Sequence, residues 1–198
     1  VKAKIGYATL AEDIAVLSAM RKAVGGGIAI MADYNQALDV PEAMRRCAAL
    51  DALGLTWIEE PTLAEDFAGH ALVKAAAATP IQGGENWWGP LEFRKALNAG
   101  ATDLLMPDVM KIGGITSWLK IAAMAEVYAM PLSNHLFAEV SAHLMAASPT
   151  ASWFEWCDWP NPVLAAPVEV RDGLVWPSEK PGIGIEWDEA AIARFELR

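Results

Sequence analysis

The sequence predicts an α/β fold in which a parallel sheet closes into a barrel, and three observations lead there. Short apolar runs alternate with helical stretches about every 25 residues from Lys2 to Glu155. The runs are apolar at nearly every position, as parallel strands are when helices cover them. Nearly every run also ends in a titratable side chain: Asp33, Glu59, Glu85, Asp108, His135 and Glu155, preceded by Lys2 and Lys4. A doubly wound sheet gathers such groups at one switch point, whereas a barrel turns all its strand ends to one mouth. The series therefore favours the barrel.

The elements follow in order. VKAKIGY is a strand, and AEDIAVLSAMRKAVG sets Ile14, Leu17 and Met20 near helical spacing before the glycines at 25–27. GIAIMADY is the second strand. VPEAMRRCAALDALG is a helix with Pro41 in its first turn and Gly54 suited to its C-terminal end. LTWIEE, PIQGGE, DLLMPD, MPLSNH and TASWFE are the next strands. DFAGHALVKAAAA, GPLEFRKALNAG, GITSWLKIAAMAEVYA and AEVSAHLMAASP are the helices between them.

Seven strands are one short of the usual eight, and the chain opens inside a strand without an initiator Met. The first strand and an upstream portion are therefore expected to precede Val1. The barrel domain is expected to run over residues 1–155. Residues 156–198, rich in Pro, Gly and Trp, form a tail that packs on the barrel or on a missing domain. Within it, VEVRDGLVWP predicts a hairpin at Asp172-Gly173 and DEAAIARFEL a short closing helix.

A hydrophobic fraction of 54% in 198 residues excludes a disordered chain. No apolar run approaches the roughly 20 residues that span a bilayer. A net charge of −10 opposes binding to nucleic acid or an anionic membrane. It leaves room for a small anionic substrate, because a bound cation and nearby lysines reverse the local sign. Cys47 and Cys157 fit no metal-ligand spacing and read as buried, inert thiols of a reducing cytoplasm.

Asp33, Glu59 and Glu85 end three consecutive strands, an oxygen-only set suited to Mg²⁺. Without a cation, three converging carboxylates repel one another. Glu60 and Asp39 are read as groups behind these ligands or on the surface. Lys2 and Lys4, two apart, point to one side of a strand. A lysine beside another ammonium and a metal has its pKa lowered towards general-base work. Asp108 and His135 end neighbouring strands, so the carboxylate orients the imidazole. Lys111 either extends the hydrogen bonding around Asp108 or balances the carboxylates. Glu155 is a candidate acid or hydrogen-bond donor to substrate oxygen. His70 and His143 fall on helices and receive no role. KIGGI lacks the spacing of a phosphate loop, and no nucleophile-elbow motif is present.

The KxK pair, three carboxylates, Asp–His dyad and final Glu, in that order, resemble the mandelate racemase branch of the enolase superfamily. The resemblance runs from VKAKIGY through ADYNQALDVPEA, TWIEEPTLAED, GGENWWGP, MPDVMKIGG and SNHLFAEVSAHL to ASPTASWFE. It implies the TIM-like (β/α)7β barrel of that superfamily. It also implies Mg²⁺ held by Asp33, Glu59 and Glu85, with Lys4 and His135 as bases on opposite faces of the substrate. Lys2 would contact the substrate carboxylate, Asn35 its α-substituent, and Glu155 the enediolate. Racemisation of a 2-hydroxy acid is the expected reaction, and dehydration of an acid sugar is the alternative. The resemblance further implies a small-molecule carboxylate substrate, an N-terminal capping domain that selects it, and a homo-oligomer such as the octamers common in that family.

Overall fold

The structure, a computed structural model, describes residues 1–196. The chain divides into two compact units, Val1–Met106 and the remainder from Pro107.

In the first unit, five described strands form a parallel sheet in chain order: β1 (Lys2–Lys4), β2 (Met31–Asp33), β3 (Ile58–Glu59), β4 (Ile81–Gly83) and β5 (Leu104–Leu105). Helices α1 (Leu10–Val24), α2 (Val40–Leu50), α3 (Phe67–Ala76) and α4 (Gly89–Ala99) connect them. The expected alternation is observed. Ala3, Ala32, Ile58 and Ile81 form one row across the sheet. They pack with Leu17 of α1, Cys47 and Leu50 of α2 and Val73 of α3 in one core.

Side chains hold the helix starts. Thr9 and Glu12 cap α1 reciprocally, and Asp39 and Asp66 accept backbone N–H groups of α2 and α3. Asp39 is thus a capping residue. Gly54 ends the short turn after α2 in a left-handed conformation.

The second unit contains α5 (Ile115–Val127), α6 (Ala138–Ala146), the strands β6 (Glu169–Arg171) and β7 (Leu174–Trp176), and α7 (Glu189–Ala193). The expected hairpin forms, with Asp172 and Gly173 at φ 53° and 76° in a two-residue turn. The closing helix also forms, although residue 197 of its predicted stretch lies outside the described residues.

One difference concerns MPLSNH and TASWFE. MPLSNH makes two isolated parallel bridges, His135 with Asp108 and Leu132 with Ala151 of TASWFE, in place of a ladder. Pro131 has no N–H to donate, and near Glu155 a side chain takes over the pairing role of the backbone.

Candidate functional site

Lys4, Asp33, Glu59 and Gln82 occupy a second row, one residue along from the apolar one. Neighbours in register point to the same face of a sheet, so this row faces away from the helices. The pleat alone delivers one lysine and two acids to one place. Lys2, two residues before Lys4, shares that face.

Glu85 reaches the cluster differently. Gln82, not Glu85, stands beside Glu59 in the ladder. At an odd offset of three, a continuing strand would turn Glu85 towards the helices. Gly84, at φ +136°, turns the chain instead, a conformation essentially confined to glycine. Ligand oxygens of Asp33, Glu59 and Glu85 then lie within 4.8 Å of one another.

All three carboxylates are buried, Asp33 and Glu59 at 0% exposure and Glu85 at 7%. The Lys2 ammonium donates to both Glu59 oxygens at 2.8 and 3.0 Å and stands 3.4 Å from Asp33. Lys4 donates to Asp33, Trp57 Nε1 to Glu59 at 3.1 Å, and the Asn35 backbone N–H to Asp33 at 2.8 Å. Burial pushes the Glu59 carboxyl well above its ordinary range, and the Asp33 charge adds to this, while Lys2 opposes it. With all three ionised, the carboxylates outnumber the two ammonium groups and leave excess negative charge on an all-oxygen donor set. A hard divalent cation fits such a set.

Glu60 and Asn86 support this cluster. Asn86 Nδ2 donates to both Glu60 oxygens at 3.0 and 2.7 Å and lies 3.3 Å from Glu85. Glu60 is 1% exposed, so it stands behind these carboxylates and not on the surface. Asn86 escaped sequence reasoning, and adjacency to Glu85 was its only signal.

In the second unit, His135 Nδ1 and Asp108 Oδ2 are 2.7 Å apart. The carboxylate fixes the proton of the neutral ring on Nδ1 and makes Nε2 the basic nitrogen. Burial alone would raise the Asp108 carboxyl. Hydrogen bonds from His135 and from the Lys111 and Met110 backbone N–H groups outweigh burial and bring it below its ordinary value. Lys111 thus joins the Asp108 network through its backbone. Glu155, half-buried, accepts the Leu136 N–H at 2.9 Å.

His70 and His143 lie on α3 and α6, as expected, and His70 Nε2 sits 3.1 Å from the Thr62 carbonyl oxygen. Cys47 is buried and its thiol is pushed up to about 12 by burial. Cys157 is only half-buried, against the expectation of two buried thiols, because it lies in the Trp- and Pro-rich segment beyond the last bridge. No helix among the described residues is long and apolar enough to cross a membrane.

Comparison with known proteins identifies the family of the chain. Residues 1–191 match the model of the enolase C-terminal domain-like family. The chain is 38% identical over 191 residues to L-talarate/galactarate dehydratase of Salmonella typhimurium, covering 96% of this chain and 48% of that protein. It is 35% identical over 198 residues to 3,6-anhydro-alpha-L-galactonate cycloisomerase of Streptomyces coelicolor, covering 100% and 55%. An enolase from Bradyrhizobium, crystallised with magnesium and mandelic acid, superposes with a TM-score of 0.94 at 44% identity, covering 100% of this chain and 54% of that one. The chain thus spans about half the length of the relatives it matches. It belongs to the enolase C-terminal domain-like family and has that family's α/β fold.

Proposed function

We propose that this chain carries the proton-transfer groups of a Mg²⁺-dependent enzyme that removes the α-proton of a hydroxy carboxylate. The observation that carries the reading is the buried cluster of Asp33, Glu59 and Glu85 with two lysines against it. These three carboxylates would hold Mg²⁺, which when bound supplies a Lewis acid for the substrate carboxylate and α-oxygen. An α-proton beside a carboxylate is very weakly acidic, so its removal needs charge stabilisation prepared in advance.

Lys4, as the neutral amine, takes the proton, and the electron pair of the α C–H bond passes into the enediolate. Lys2, anchored on Glu59, contacts the substrate carboxylate. Asp108 holds the His135 proton on Nδ1, so that Nε2 accepts or returns a proton. Glu155 donates a hydrogen bond to the oxygen on which charge develops. Asn35, joined by its backbone to Asp33, contacts the α-substituent.

Two fates follow from this step. In racemisation the second base returns a proton to the α-carbon. In dehydration the β C–O bond breaks, protonated His135 gives its Nε2 proton to the departing hydroxyl to form water, and the enol relaxes to a 2-keto acid. Having both Lys4 and His135 favours racemisation, the outcome expected from the sequence. Similarity to a protein named as a sugar-acid dehydratase favours dehydration as the second reading.

Proton NMR in D₂O separates them, with the intact natural protein, Mg²⁺, and mandelate, galactarate and L-talarate as probes. Loss of the α-proton signal without loss of water marks racemisation, and a 2-keto product marks dehydration. If neither occurs with any of the acids, the reading fails.

A further inference from the structure

We propose that Asn134 is a positioning residue that sets Glu155 for its hydrogen bond to the substrate oxygen, an inference that rests on the role of Glu155 given above. Asn134 is fully buried, at 0% exposure. Its Oδ1 accepts the Glu155 backbone N–H at 2.9 Å, and its Nδ2 donates to the Glu155 carbonyl oxygen at 3.1 Å. One side-chain amide thus offers Glu155 the acceptor and donor that a neighbouring strand would offer. It does so where pairing has thinned to the single bridge between Leu132 and Ala151. Glu155 lies four residues beyond Ala151 and is held by a side chain instead.

The same amide controls the Glu155 carboxylate from a second direction. Leu136 and Phe137 have consecutive positive φ angles of 49° and 48°, rare for residues with a Cβ. In this conformation the Leu136 N–H points at Glu155 Oε2, 2.9 Å away. The Leu136 carbonyl oxygen accepts from Asn134 Nδ2 at 3.1 Å and from Ser141 Oγ at 2.9 Å. Asn134 therefore grips both the backbone of Glu155 and the strained residue whose N–H holds the Glu155 carboxylate. Aspartate would keep the Oδ1 acceptor but face two carbonyl oxygens with no proton to offer. Alanine would remove all three contacts.

The test uses the intact protein, Mg²⁺, and mandelate and galactarate as probes of α-proton exchange. Asn134→Asp and Asn134→Ala are expected to lower kcat about 10- to 100-fold, with KM changed less than about threefold. The Mg²⁺ dissociation constant, measured by calorimetry, stays unchanged. In a Glu155→Gln background the further loss from Asn134→Ala shrinks below about threefold, because a residue acting through Glu155 has nothing left to position. Full additivity of the two changes, or a joint loss of Mg²⁺ binding, overturns the proposal in favour of a general structural tie. Failure of both Asn134 variants to fold does the same. If Glu155→Gln is inactive while Asn134→Ala is fully active, only the positioning role falls. If Glu155→Gln is as active as the unaltered protein, the assignment of Glu155 falls and takes this role with it. Absence of exchange in the unaltered protein overturns both.

Discussion

Replacing Asp13 by alanine removes a fully buried carboxylate that serves four donors. Arg46 Nη1 donates to it at 2.8 Å, the Gly6 and Tyr7 backbone N–H groups at 2.8 and 2.9 Å, and the Tyr34 hydroxyl at 3.2 Å. The Arg46 side chain is only 7% exposed, so the substitution strands a buried cation. Breaking a buried pair in this way costs about 3–5 kcal/mol. Arg46 keeps Glu42 at 2.6 Å and the Tyr7 and Ala8 carbonyl oxygens, which places its share near the lower end. Tyr7 is exposed, so water replaces its lost partner, whereas the Tyr34 hydroxyl is left buried and unpaired. A total of about 3–5 kcal/mol follows, or a Tm lowered by roughly 6–20 °C. Urea unfolding followed by circular dichroism measures it as a lower midpoint at unchanged slope. A loss below about 1 kcal/mol would place the pair among exposed ion pairs and refute the argument from burial.

Three further outcomes are expected. Gly84→Ala brings a Cβ within 2.9–3.0 Å of Met106 backbone atoms at φ +136°, and thermal melts should show a loss of at least about 1–3 kcal/mol; an unchanged Tm would contradict the turn described here. Glu59→Gln should weaken Mg²⁺ binding by more than about 100-fold in calorimetry, since even partners behind metal ligands are worth 10- to 100-fold; an unaltered affinity removes Glu59 from the metal site. The Asp108 carboxyl lies below its ordinary 3.8 in the folded protein, so its contribution is full above that value and is lost as pH falls through the lower folded one. Asp108→Asn should flatten this acid limb in a Tm-versus-pH series, and superimposable limbs would count against the assignment.

Much of this molecule can be read from its residues because period-two and helical patterns report burial directly. Helices α2 to α6 lie within the predicted stretches, α1 begins one residue earlier than predicted, and Asp172-Gly173 sits at the turn that its chemistry requires. The Asp33 and Glu59 positions follow from strand parity. Glu85 was legible as a strand-end acid, although parity alone sends it the wrong way and the backbone angle at Gly84 corrects it. The sixth and seventh strands pair through isolated bridges in place of ladders, because a short apolar run does not reveal how much of its backbone finds a partner. Asn134 and the pairing of Asp13 with Arg46 were invisible for another reason. Each is a polar residue whose partners come from distant sequence, and no local period marks them.

The row formed by Lys4, Asp33, Glu59 and Gln82 has a consequence for how this chain can change over time. A single residue inserted or deleted inside β1, β2 or β3 would turn that strand's acids and lysines towards the helices and its alanines and isoleucines towards the opposite face. Length variation is thus confined to connecting segments. The glycines at 25–27, where an added Cβ meets nothing within 4 Å, can absorb extra residues that the strands four positions later cannot.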